Sequence, residues 1–149
     1  MIRRDLLVRA WLFLGPIAAA LVLSAFFAVL VHGGWRPGDP TGSGTALHHT
    51  YIQATTATFM GIVACQIGTA FAARTEHAPL RAVVIGTNPL LLWGIVFEIA
   101  FTAALVYLPP LQQVFDTAAP PIEAVGIIAV FPLVMWGADE LRRAYLRRS

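Results

Sequence analysis

Glu98 is the only ionisable side chain, apart from Tyr107 near the end, in the run Asn88–Leu108, NPLLLWGIVFEIAFTAALVYL. An apolar stretch of this length reads as a membrane-spanning helix. A carboxylate near its middle costs roughly 2.5 kcal/mol or more on insertion scales, so such a group normally faces a bundle interior or an ion path. Gly94, Glu98 and Thr102 are four apart and share one helix face. Gln66 is a second polar group near the centre of an apolar run, and Thr55, Thr58, Ile62 and Thr69 lie on its stripe at helical spacing. Carboxylate, amide and hydroxyl oxygens are what hard cations bind. Glu98 and Gln66 are therefore candidate cation-binding residues, with Thr69 and Thr102 as supporting polar positions. Alone they fall short of the roughly six to eight oxygens of a full cage. The competing reading makes Glu98 protonated, or hydrogen-bonded across the bundle as glue between helices.

Other chemistry-bearing residues point to less. His32, His48 and His49 flank one polar loop, but their spacing matches no defined metal site, and they read as surface histidines. Cys65 is the only cysteine, which excludes an intramolecular disulfide, and reads as a small packing residue. Asp139–Glu140 followed by Arg142–Arg143 reads as a solvated helix end with local ion pairs worth under about 1 kcal/mol, and the sharper reading is a docking point for a cytoplasmic partner. The sequence contains no phosphate loop, no H-E-x-x-H, no C-x-x-C and no G-x-S-x-G. Nothing in it supports a soluble-type active site or a resident cofactor.

The elements that must position these residues follow from composition. The chain has 149 residues, 58% of them hydrophobic and 12% charged, with a mean hydropathy of +0.72. This lies outside the soluble range and predicts an all-α integral membrane protein. At about 20 residues per span, residues 1–149 form a single four-helix transmembrane domain. The expected spans are about 10–31, 51–73, 88–108 and 122–138, with an external loop at 32–50 and a tail at 139–149. The N-terminus resembles the positive region of a signal peptide, but the apolar run behind it is longer than a signal core and no A-x-A site follows, so it reads as a retained first span. Pro16 is expected to kink that span or mark its first turn, and Pro132 to bend the fourth. The second span carries Gly61, Cys65, Thr69 and Ala73 in one row and Ala64, Gly68 and Ala72 in another. Such rows let helices approach closely and predict a helix surrounded by protein.

All ten basic residues are arginine. Arg3, Arg4 and Arg9 precede the first span, Arg74 and Arg81 join the second to the third, and Arg142, Arg143, Arg147 and Arg148 close the chain. The two remaining loops hold only Arg36. The positive-inside rule then places both termini in the cytoplasm. The net charge of +2 gives no case for nucleic acid, whereas the tail arginines suit anionic lipid headgroups at about 1 kcal/mol each.

From about Gln53 to Arg148 the chain resembles the C-terminal membrane domain of P-type cation-transporting ATPases. QATTATFMGIVACQIGTAFAART, NPLLLWGIVFEIAFTAALVYLPPLQQVF and FPLVMWGADELRRAYLRR carry the likeness, and RAWLFLG with GGW is similar to the seventh helix of bacterial members. The ordered series N-P, F-E, Y-x-P-P-L, D-E-L-R-R is its most specific part. The resemblance implies the last four of ten membrane helices in a plasma or inner membrane. It implies that Gln66 stands where calcium pumps have a carboxylate, and Glu98 near a glutamate of an additional sodium-pump site. Asp139 and Glu140 match an acidic pair at the inner end of the tenth helix. The D-K-T-G phosphorylation sequence is absent. The chain is therefore expected to have no ATPase activity of its own, to support transport helices supplied by the remaining portion of a pump, and to contact a transported cation. On this reading it is a fragment, a separately encoded piece of a split pump, or a relic with a structural role. The alternative is an independent four-span protein, either a homo-oligomeric ion or solute channel or a structural scaffold.

Overall fold

A computed structural model of the chain describes residues 9–74 and 89–146. A π-helical stretch, Arg9–Leu14, runs into α1 (Gly15–His32). Then come α2 (His48–Arg74), α3 (Pro89–Tyr107), the short α4 (Pro109–Phe115) and α5 (Ile122–Leu146). Among the described residues four helices are long and apolar enough to cross a membrane: Leu12–His32, His48–Ala73, Pro89–Tyr107 and Ile122–Tyr145. The 19 residues of α3 make a rod of about 28 Å, close to the roughly 30 Å hydrocarbon core. The 27 of α2 and 25 of α5 give about 40 and 37 Å, so both overshoot it.

Four passes bring the chain back to the end at which it starts. Arg142, late in α5, lies 5.9 Å from the ring centre of Phe13, within cation–π range. These two residues mark the terminal end of the bundle, and the opposite end is the loop end.

α2 is the most covered of the four helices and packs against α1, α5 and α3. Its small residues explain why. A Cβ added at Gly68 would sit 2.7 Å from the Pro132 carbonyl oxygen and 2.8 Å from the Met135 Cβ. At Gly61 it would stand 3.3 Å from the Phe131 ring and 3.4 Å from Val22. In a bilayer, helices associate through close packing rather than through exclusion of water, and glycine at the crossing makes the approach possible. Pro132 sits inside α5, where it has no N–H to give the Ile128 carbonyl. At the loop end, a Cβ on Gly33 would collide with Thr50 Cγ2, so the turn out of α1 also closes against bare backbone.

Several boundaries differ from the sequence reading. α2 begins at His48 rather than near residue 51. The helix of the fourth span does not stop near 138 but continues to Leu146. Arg143 holds this extension, forming ion pairs with Asp139 one turn back at 3.2 Å and with Glu140 at 2.8 Å. α4 has no counterpart among the expected elements. Two prolines open it, with the fixed φ of a first turn, and Asp116 ends it in the left-handed conformation at φ 50°. Upstream of Pro16 the helix widens to the π form. A π turn accommodates a residue that cannot donate the normal bond and crowds the preceding carbonyl.

Candidate functional site

Side chains near the loop end set the register of α2 against α3. Gln53 Nε2 donates to the Ala119 carbonyl at 2.8 Å, and the Ala118 N–H donates to Thr56 Oγ1 at 3.1 Å. Thr117 Oγ1 donates to the Leu105 carbonyl at 2.6 Å, and Gln112 Nε2 to the Val106 carbonyl at 2.5 Å. Gln66 lies ten residues along α2 from Thr56, and Glu98 seven residues along α3 from Leu105. Along antiparallel helices these offsets amount to about 15 and 11 Å. Both polar groups therefore sit at similar depth, well inside their spans.

Gln66 is exposed. It opens onto a groove of about 640 Å³ between α1 and α2, walled by Ala18, Ala19, Val22, Leu23 and Ile62. Thr69 lines the same groove and donates its hydroxyl to the Cys65 carbonyl at 2.9 Å. Glu98 is half-buried, and its carboxylate forms no hydrogen bond or ion pair with the described residues. Its neighbour Phe97 stacks on Phe101 with ring centres 6.0 Å apart, and both rings face out of the bundle. Thr102, one turn on, is buried together with Leu105 and Val106. The structure thus joins Gln66 with Thr69 in one groove and Glu98 with Thr102 on one side of α3. No hydrogen bond links Gln66 to Glu98 among the described residues.

α3 meets the bundle mainly through Thr102, Leu105 and Val106. Towards its start Leu90 is 81% and Trp93 72% exposed. It is the least covered of the four spans. Glu98 stands at the transition from the packed end to the open end.

The remaining threonines of the α2 stripe bond to their own helix. Thr55 donates to the Ile52 carbonyl at 2.9 Å and Thr58 to that of Ala54 at 2.9 Å. This is the usual way a helix satisfies a hydroxyl away from water. Among the described residues no three His, Cys, Asp or Glu side chains come together as metal ligands. His48 Nδ1 lies 3.2 Å from the Thr41 carbonyl, tying the polar loop to the start of α2.

Asp139 corrects the reading of a solvated helix end, because it is fully buried. It extends the stripe Ala124, Ile128, Phe131 and Met135, which α5 turns into the bundle. The signal was present in the sequence as the continuation of that spacing past residue 138. The charge pattern concealed it. Trp136, beside it, has its Nε1 buried without a hydrogen-bond partner among the described residues.

Fold and site define a class: an all-helical, four-span integral membrane domain with polar groups well inside its spans. Residues 1–145 match the family described as "Cation transporting ATPase, C-terminus", and the chain belongs to that family. No individual curated protein matches it.

Proposed function

We propose that this chain buttresses the transport helices of a P-type cation pump. Glu98 and Gln66 face those helices and contribute to a cation site, with Thr69 and Thr102 beside them. The chain has no ATP chemistry of its own, and its terminal end faces the cytoplasm. One observation carries the reading. At mid-span depth Gln66 is exposed and Glu98 stands half-buried with no partner among the described residues, on a helix whose first half the rest of the chain leaves largely uncovered. Lipid is a poor neighbour for an unpartnered carboxylate. Helices bearing cation ligands are a good one, since Glu98 and Gln66 supply oxygens without completing a cage.

The same exposure supports a second reading, in which copies of this chain cover one another's polar face and form a homo-oligomeric channel. Cys65 cannot report on this by crosslinking, because it is 4% exposed. A photo-reactive phenylalanine at Phe97 or at Ile62, both exposed, can. With pump helices co-expressed, crosslinks to the pump chain are expected from both positions. Self-crosslinks alone, in the presence of the pump chain, would favour the channel and count against the buttress.

A further inference from the structure

A cleft of about 250 Å³ lies at the loop end, between α2 and the connection from α3 to α5. It is separate from the mid-depth groups. Thr55, Thr56, Phe59, Phe115, Asp116 and Thr117 are among its lining residues. The hydroxyl hydrogens of its threonines are all committed elsewhere. Thr55 Oγ1 and Thr56 Oγ1 both donate to the Ile52 carbonyl, at 2.9 and 2.8 Å. Thr117 Oγ1 donates to the Leu105 carbonyl at 2.6 Å. A hydroxyl has one proton to give, so the half-buried Thr55 and Thr117 oxygens meet the cleft as acceptors, while Thr56 Oγ1 is buried and already accepts the Ala118 N–H. Asp116 is exposed, and its carboxylate forms no hydrogen bond or ion pair with the described residues. An ionised carboxylate is likewise an acceptor only.

The cleft therefore combines negative charge, acceptor oxygens and two aromatic rings, and these six side chains present no donor to it. That is the complement of a cation bearing N–H groups. A metal ion fits less well. It needs about six to eight oxygens in close array, whereas Phe59, Phe115 and Leu105 give much of the wall to hydrocarbon. Aromatic faces attract ammonium groups within about 6 Å of the ring centre.

We propose that this cleft binds a small primary alkylammonium ion. Asp116 pairs with its charge, the Thr55 and Thr117 oxygens accept its N–H groups, and Phe59 and Phe115 flank the ion.

The full chain in lipid nanodiscs, isotope-labelled, permits a direct test. Amide signals of Thr117 and Ala118 are followed while ethylammonium, tetramethylammonium or potassium chloride is titrated at constant ionic strength. Ethylammonium should give saturable shifts. Tetramethylammonium, which has no N–H to donate, should bind on the order of tenfold more weakly. Asp116→Asn tolerates the same left-handed backbone and should weaken ethylammonium by about tenfold or more. Phe59→Leu, which leaves the charge in place, should weaken it a few-fold. The proposal is overturned if ethylammonium gives no saturable shift, if potassium saturates at equal or lower concentration, or if both variants bind like the parent.

Discussion

A methyl group added at Gly68 should destabilise this bundle, whereas the same methyl at Gly126 should not. In a helix exposed to water, alanine is favoured over glycine by about 1 kcal/mol. At Gly126 an added Cβ has nothing within 4 Å, so that preference, or a lipid-attenuated part of it, is all that acts. At Gly68 the added carbon would lie 2.7 and 2.8 Å from the carbonyl oxygen and Cα of Pro132 and 2.8 Å from the Met135 Cβ. None of these atoms can move away by changing a rotamer, so α2 and α5 must separate by several tenths of an ångström. Overpacking of this kind costs typically about 1–3 kcal/mol. The propensity gain offsets less than half of that at the upper end. Gly68→Ala should therefore end about 0–2 kcal/mol below the parent and about 1–3 kcal/mol below Gly126→Ala, and Gly68→Val lower still. The assay is reversible SDS unfolding of the detergent-solubilised chain, followed by circular dichroism. A Gly68→Ala variant as stable as Gly126→Ala would refute the close crossing of α2 and α5.

Three further outcomes follow from the same contacts. Thr56→Val removes the acceptor for the Ala118 N–H. It should cost about 1–3 kcal/mol and speed amide exchange at Ala118, and unchanged exchange would contradict the bond. Asp139→Ala removes a fully buried carboxylate from its pair with Arg143 and should lower stability by about 3 kcal/mol. A thermal melt within error of the parent would show that Asp139 is solvated after all. Gly33→Ala places a carbon against the Thr50 side chain. It should be destabilising alone and partly rescued by Thr50→Ala, and strict additivity of the two changes would rule out the contact.

Much of the architecture was legible in the residues. Apolar runs of span length gave the four helices, because the bilayer leaves little choice of structure at that depth. The rows through Gly61 and Gly68 foretold the close packing of α2. The expected starts near residues 88 and 122 fell within a residue of those of α3 and α5. The continuation of α5 was hidden because Asp139 to Arg148 reads as a polar tail until the pairing of Arg143 one turn back is counted. α4 was hidden because a double proline suggests a stop as readily as a first turn. Of the candidate site, the depths of Gln66 and Glu98 followed from sequence. That Gln66 is exposed and Glu98 half-buried did not, since periodicity marks a polar stripe without saying what covers it. The acceptor-lined cleft depends on bonds from Thr117 and Ala118 across 12 and 62 residues, and no local pattern encodes these.

Support of cation-transport helices through the surface around Glu98 and Gln66 is tested most directly by cation uptake. A P-type pump lacking its last four helices is co-expressed with this chain in membranes. Uptake should be restored by the parent chain and lowered by Glu98→Ala at equal levels of inserted protein. Both chains folded and inserted with no recovery of uptake would contradict the buttressing role.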